Sequence, residues 1–228
     1  MQKNKSYIWI SLIVLVFGIY SIPKIIERIK KGTIVKSDRL DRVEGEVGVE
    51  SNLFKVGIAP KFNLIDQNGL KISNQNYQGK VYVVEFFFST CPTICPIMNR
   101  NMLEIQDEFL NDRAFGIASI TINPEKDTPE VLKEYAKSLK ITAPNWHFLT
   151  GDRTTIFELA NKGFSLYTGI NPKIAGGFEH SGLFALVDKK GYIRCRKDEF
   201  GNPIVYYDGI EKVGIEMIKK DISLLLEE

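Results

Sequence analysis

The segment at residues 80–100, KVYVVEFFFSTCPTICPIMNR, decides the fold and places the chemistry. Residues 80–88 form an almost continuous run of β-branched, aromatic and other apolar side chains, which predicts a strand covered on both faces. Apolar residues at helical spacing follow over residues 96–110. Cys91 and Cys95 lie between the two elements, so the sequence predicts two thiols at a strand-to-helix turn.

The elements on either side of this segment alternate between strand and helix. Residues 62–73 precede it and predict a β-hairpin that turns at the Asn-Gly pair of residues 68–69. The other predicted elements are strands at 114–122 and 146–150, helices at 127–139 and 152–163, a hairpin at 182–196 and a closing helix at 209–228. This order predicts an α/β domain with a thioredoxin-like fold and an N-terminal β-hairpin extension. The thiols would then lie at the carboxyl end of a central strand, where α/β folds commonly bind ligands.

The N-terminus predicts a membrane anchor. Residues 6–23 carry no charge, and a helix of about 18 residues rises about 27 Å, close to the thickness of a bilayer core. A cleaved signal peptide is the alternative, but the apolar run is long for one and no A-x-A-like site follows. The sequence therefore predicts a single transmembrane helix that contacts the lipid bilayer through residues 6–23. The predicted divisions are the anchor at 1–23, a charged linker at 24–55 and the folded domain at 56–228.

The net charge and the cysteine count limit which classes of function are expected. The chain has 228 residues and a net charge of +2, which gives no indication of a nucleic-acid partner. With only three cysteines the chain is not a disulfide-stapled scaffold, so each thiol needs its own explanation.

The position of Cys91 and Cys95 predicts reactive thiols without choosing their chemistry. A helix N-terminus lowers the pKa of a thiol, and the thiolate both attacks disulfides and binds metal ions. Residues four apart on a helix share a face, so the two sulfurs could converge on one ion. A disulfide remains open because Pro92 and Pro96 favour an irregular turn. Two buried structural cysteines are the less favoured interpretation.

Two thiolates need a further donor to hold a metal, and the chain has two histidines. His180 lies in a Gly-rich loop ahead of a predicted strand and is the candidate ligand, whereas His147 is interpreted as a packed or solvated side chain. Two thiolates and one imidazole suit copper(I), or copper(II) with one more donor, while structural zinc usually takes four protein ligands. Cys195 lies mid-strand between two arginines and is interpreted as a packed thiol.

Four stretches resemble the Sco/SenC family in order and spacing, and the resemblance covers Val56 to Glu228. They are STCPTICP (89–96), NPEKDTPE (123–130), NWHFLTGD (145–152) and FEHSGLFALVDKKGYI (178–193). The resemblance implies a thioredoxin-like fold and copper ligation by Cys91, Cys95 and His180. It also implies delivery of copper to the CuA site of cytochrome c oxidase, or reduction of the cysteines of that site.

The implied partners are the CuA-bearing subunit of the oxidase or another copper chaperone. The resemblance places the domain on the outer, periplasmic side of the cytoplasmic membrane. The basic residues that follow the apolar N-terminal run outnumber those before it, so the positive-inside rule does not itself favour an exported domain. The resemblance carries the predicted location.

Two positions depart from the family or stand out within it. Asn123 replaces an aspartate that the family usually carries, while Asp127 is retained. Glu85 lies six residues before Cys91, where thioredoxins carry a buried aspartate that acts in proton transfer. A carboxyl group buried there should have a raised pKa and could accept a proton from a thiol. A Glu85 satisfied by a polar neighbour is the other interpretation.

The sequence suggests three functions to different degrees. The first is a membrane-anchored copper chaperone. The second is a thiol–disulfide oxidoreductase that uses Cys91 and Cys95 with help from Glu85, although the proline that thioredoxins place before the strand at Leu183 is missing. A peroxiredoxin is disfavoured, because Thr90 directly abuts Cys91 and no proline lies just upstream.

Overall fold

The computed structural model describes residues 15–17, 19–20, 22–23 and 51–228. The chain divides into two compact units, Met1–Val47 and Gly48–Glu228. The predicted anchor at residues 6–23 and the predicted linker at 24–55 lie largely outside the described residues. Over the parts of the chain that are described, no helix has both the length and the apolar character needed to cross a bilayer.

The second unit contains a mixed sheet with four α-helices among its described residues. The strands are β1 (Phe54–Ile58), β2 (Asn63–Asp66), β3 (Lys71–Ser73), β4 (Val81–Phe87), β5 (Phe115–Thr121), β6 (Trp146–Thr150), β7 (Thr168–Ile170), β8 (Phe178–His180), β9 (Leu183–Val187), β10 (Tyr192–Lys197), β11 (Pro203–Ile204) and β12 (Tyr207–Asp208). The helices are α1 (Cys95–Phe109), α2 (Pro129–Ser138), α3 (Arg153–Glu158) and α4 (Lys212–Glu227).

The strand order in the main sheet is β1-β10-β9-β4-β5-β6-β2-β3. β4, β5 and β6 run parallel, β9 pairs antiparallel with β4, and β10 pairs antiparallel with β9. The strands β4, β5 and β6 thus form a parallel centre, which the hairpin of β9 and β10 extends with antiparallel pairing. β2 and β3 form the predicted hairpin, with Gly69 at a φ of +76° in its turn.

The apolar run at residues 80–88 contains β4, which lies at the centre of the sheet. All seven residues of β4 are buried, as are all seven of β5. Helix α1 presents its own apolar side to this sheet through Met98, Met102 and Ile105, none of which has measurable exposure. Because β4 is covered on both faces, its carboxyl end and the turn to α1 are held in a fixed place.

The helix predicted at residues 152–163 differs in its second half. α3 ends at Glu158 and a wider π-helical segment continues from Leu159 to Phe164. Gly163 therefore lies inside the helical segment rather than after its end. A Cβ at Gly163 would come within 2.9 Å of the Pro60 side chain, so the glycine serves a close approach between segments.

The structure contains strand pairings that the sequence does not predict, and two of them bear on the domain start and on the site. β1 begins at Phe54 and pairs antiparallel with β10, two residues before the predicted start of the folded domain. β7 and β8 form a separate two-stranded antiparallel sheet. This small hairpin matters for function because it carries a histidine to the thiols.

Candidate metal centre

Cys91, Cys95 and His180 form a compact group of donor atoms. Their sulfur and imidazole nitrogen atoms all lie within 4.8 Å of one another. Cys95 Sγ and His180 Nε2 lie 3.2 Å apart. Both cysteines are free thiols and both are buried, with 9% exposure for Cys91 and 1% for Cys95. The three residues that the sequence proposes as ligands are thus brought together.

The turn after β4 positions the first thiol and the start of α1 positions the second. The Cys91 backbone N–H donates to the Phe88 carbonyl at 3.2 Å, which closes a tight turn. Cys95 is the first residue of α1, and Pro96 follows it in the first helical turn, where a missing N–H costs little. Ile94 precedes the helix without a side-chain cap. The backbone N–H groups of Thr93 and Cys95 help to lower the pKa of the Cys91 thiol.

His180 is the last residue of β8, where it pairs with Thr168 of β7. Its Nδ1 lies 3.1 Å from the Ser181 carbonyl oxygen. That oxygen can only accept, so Nδ1 carries the proton and Nε2 offers a lone pair toward Cys95. The ring also stands edge-on to Phe88, 5.9 Å between centroids. His180 therefore reaches the thiol end of the sheet, although it lies on a strand and not in the Gly-rich loop that the sequence predicts.

The two thiols have opposite electrostatic character. A hydrogen bond from the Cys95 thiol lowers the pKa of Cys91, while partial burial acts in the other direction. The same hydrogen bond to the Cys91 thiolate, together with burial, raises the pKa of Cys95. Cys91 is therefore the thiolate of the pair, and Cys95 holds the proton.

Glu85 lies on β4 and is fully buried. Its Oε1 accepts a hydrogen bond from Ser119 Oγ at 2.6 Å, and Ser119 Oγ accepts one from Trp146 Nε1 at 2.9 Å. Its Oε2 is buried without a hydrogen-bond partner. Burial raises the pKa of Glu85 to about 7, with the Ser119 bond acting in the other direction. The carboxyl group thus has the raised pKa that its position predicts.

Three other polar or thiol residues singled out by sequence lie apart from this group. His147 has Nδ1 3.5 Å from Asp66 Oδ2, and burial lowers its pKa. Asn123 is buried in the turn after β5. Cys195 is fully buried in β10, and burial raises its pKa to about 11.

Asp127 is the polar residue near the site whose contacts the sequence does not predict. Asp127 and Thr128 both precede α2, and both residue types are common helix caps. Thr128 takes that place, and its hydroxyl accepts from the Val131 backbone N–H at 3.4 Å. The Asp127 carboxylate instead accepts from Ser89, two residues before Cys91. The sequence indicates only that either of two adjacent residues could cap α2. It does not indicate that the Asp127 side chain contacts Ser89, 38 residues earlier in the chain.

Comparisons with known proteins agree with this geometry. The sequence model of the family described as SCO1/SenC matches residues 51–213. The SCO2-like protein RT0576 of Rickettsia typhi is 35% identical over 161 residues, which cover 66% of this chain and 74% of the relative.

Two solved structures carry the likeness into three dimensions. BsSco, described as a member of the Sco family of cytochrome c oxidase assembly proteins, aligns at 27% identity with a TM-score of 0.62, covering 75% of this chain and 95% of that one. Yeast Sco1 with copper bound aligns at 26% identity with a TM-score of 0.54, covering 73% and 89%. With its fold, the matched stretch and the relatives in agreement, the chain belongs to the SCO1/SenC family.

Proposed function

We propose that this protein is a membrane-anchored copper-binding chaperone that serves assembly of the CuA site of cytochrome c oxidase. Copper is its cargo, and Cys91, Cys95 and His180 are its ligands. The observation that carries the proposal is the convergence of two thiols and one imidazole within 4.8 Å. BsSco, from an oxidase-assembly family, and copper-bound yeast Sco1 support it as relatives of similar fold.

The donor set fits a soft metal ion that must be released again. Two sulfurs and one imidazole nitrogen match the preference of copper(I), and three protein ligands leave room for a partner's donor. The lowered pKa of Cys91 supplies one thiolate before copper arrives. The protonated Nδ1 of His180 is held by Ser181, which leaves Nε2 free to bind.

Copper binding requires Cys95 to lose its proton. His180 Nε2 lies 3.2 Å from the Cys95 sulfur, but it cannot keep that proton while it binds copper. We assign Glu85 as the proton acceptor, because burial poises its carboxyl group near neutrality, with a pKa of about 7. In this role Glu85 receives the thiol proton without touching the metal.

The arrangement of the whole chain is part of the proposal. Residues 6–23 would cross the cytoplasmic membrane, residues 24–55 would form a charged linker, and residues 56–228 would form the copper-binding domain on the outer, periplasmic side. The uncharged N-terminal run supports the anchor. The partners would be the CuA-bearing subunit of the oxidase or another copper chaperone.

Copper transfer tests the function directly. The full chain, purified in mild detergent and loaded with one equivalent of copper(I), is mixed with a copper-free CuA-bearing domain and separated again. We expect copper to appear on the CuA-bearing domain, and transfer to fail with Cys91→Ala. Retention of all copper by the wild-type chain, under conditions where the acceptor binds free copper, would contradict a delivery role.

A thiol–disulfide oxidoreductase is the second candidate, and the divided protonation of the two thiols favours it. The Cys91 thiolate would attack a partner disulfide and release one partner thiolate. Cys95, deprotonated by Glu85, would then attack the mixed disulfide and release the second, so that two electrons pass from the dithiol to the partner. Turnover of a partner disulfide by metal-free protein, unaffected by His180→Ala, would favour this function over copper delivery.

A further inference from the structure

The carboxylate of Asp127 is buried. It contacts Ser89, in the turn that leads to Cys91, and is not one of the three candidate ligands. It lies in the turn between β5 and α2 and has no measurable exposure. Its Oδ2 accepts from the Ser89 backbone N–H at 3.1 Å, and its Oδ1 accepts from the Ser89 hydroxyl. Oδ2 also accepts from the Thr121 hydroxyl. These three donors compensate the cost of burying the carboxylate.

The contacts of Asp127 fall on the turn that carries Cys91. Ser89 lies inside the turn that the hydrogen bond from Cys91 N–H to the Phe88 carbonyl closes. Both polar hydrogens of Ser89 go to the one carboxylate. The third donor, Thr121, is the last residue of β5, which pairs with the last residue of β4. The carboxylate therefore ties the turn after β4 to the end of the neighbouring strand.

Helix capping does not account for this carboxylate. The α2 N-terminus is capped by Thr128, as described above. The backbone N–H of Asp127 donates to the Asn123 carbonyl at 2.9 Å, so the turn after β5 is closed by main-chain atoms. The side chain of Asp127 accepts hydrogen bonds from Ser89 and from Thr121 of β5. These contacts hold Ser89 against β5.

We propose that Asp127 is a positioning residue for the thiol pair, because its carboxylate fixes Ser89 and thereby the turn that presents Cys91 to Cys95 and His180. The inference rests on the proposed use of that pair for copper. Donors held in a binding geometry bind more tightly than donors that must be ordered on binding. Loosening the Ser89 turn should lower the effective concentration of the Cys91 sulfur at the site.

The test compares Asp127→Asn with the wild-type full chain in two measurements. The first is copper(I) affinity, by competition with a chelator. The second needs no metal: it is the equilibrium constant for forming the Cys91–Cys95 disulfide from the dithiol and oxidised glutathione, which yields two reduced glutathiones. We expect the copper(I) affinity and the equilibrium constant each to fall at least about tenfold, a change that corresponds to about 1.4 kcal/mol. Ser89→Ala, which keeps the backbone bond, should shift both in the same direction by less.

Asp221→Asn is the matched control. Asp221 is also a buried aspartate, but it lies on α4 and accepts from Tyr207 at 2.6 Å and from Arg196 Nε at 2.9 Å. Its replacement should lower the urea midpoint without changing either thiol measurement. Shifts for Asp127→Asn no larger than those for Asp221→Asn would overturn the proposal. If Asp127→Asn does not fold, Ser89→Ala decides in the same way.

The two measurements separate the positioning role from the proposed function. If wild-type protein fails to bind copper, the copper proposal fails, and the glutathione equilibrium still decides whether Asp127 positions Cys91. If wild-type protein binds copper and neither measurement moves in Asp127→Asn or Ser89→Ala, the positioning role is wrong while the copper proposal stands.

Discussion

Cys95 and Cys195 are equally buried, yet their surroundings differ. Cys195 lies in the middle of β10, opposite Phe54 of β1, and burial, helped by the negative charge of Asp221, raises its pKa to about 11. Cys95 opens a helix beside a second thiol and an imidazole nitrogen 3.2 Å away. Burial raises the pKa of both thiols, and what distinguishes Cys95 is the pair of donor groups beside it, with which it could hold a metal ion. At the strand-to-helix turn, the same degree of burial accompanies a thiolate on the neighbouring Cys91.

The largest effect should come from removing one thiol of the pair. Cys91→Ala takes away the ligand that is already a thiolate, so copper(I) affinity should fall by at least about 10⁴-fold, near 5.5 kcal/mol. Cys195→Ala should leave the affinity unchanged. Chelator competition on both variants measures this, and equal losses in the two would break the contrast between the two environments.

Removing the imidazole should have the next largest effect. His180→Ala leaves two sulfur donors, so we expect a loss of about 10³-fold in copper(I) affinity, near 4 kcal/mol. His147→Ala serves as the control, since that ring contacts Asp66 and Tyr77 instead of the thiols. Full affinity in His180→Ala would show that the contact between His180 and Cys95 plays no part in binding copper.

Glu85 should make the stability of the metal-free protein fall as pH rises. Its pKa is near 4.5 unfolded and about 7 folded, so the folded state keeps a proton that the unfolded state has lost. The stability contribution is complete below pH 4.5, declines between about 4.5 and 7, and amounts to a difference of about 3 kcal/mol.

Glu85→Gln should remove that dependence, because glutamine does not titrate. Urea unfolding of reduced wild-type and Glu85→Gln protein at pH 5 and pH 8 provides the measurement. The wild-type free energy of unfolding should drop by about 2.5 kcal/mol more than that of the variant across this range. Parallel pH profiles would mean that Glu85 has an ordinary pKa in the folded protein.

The smallest effect belongs to Cys195. Cys195→Ala removes one buried sulfur from β10 and should cost about 1 kcal/mol in the free energy of unfolding through the small cavity left behind. Iodoacetamide should label Cys91 in the folded protein and reach Cys195 only after unfolding. Rapid labelling of Cys195 in the native protein would contradict its assignment as a packed thiol.

Much of the fold follows from sequence because its signals are local. The apolar run of β4, the Asn-Gly hairpin and the helical spacing of α1 are each set within a few residues. The β7–β8 hairpin was not predicted, since each of its strands has only three residues and no clear alternation. Its pairing depends on tertiary contacts such as Phe88 against Phe178.

The sequence predicts the three candidate ligands but not the hydrogen bonds that hold them in place. Cys91 and Cys95 were placed by the strand-to-helix turn, and His180 by its Gly-rich approach to a strand. The orientation of His180 by Ser181 and the contact of Asp127 with Ser89 were not predictable. Hydrogen bonds between distant segments depend on how strands align, and sequence spacing does not determine that alignment.

The central claim is that the reduced thiol pair and His180 together hold one copper ion. Copper(I) titration of the full chain in mild detergent, once fully reduced and once with the Cys91–Cys95 disulfide formed, tests it most directly. We predict tight binding of about one copper per chain in the reduced form and none in the oxidised form, because a disulfide offers no thiolate ligand. Equal binding by both forms would contradict the account.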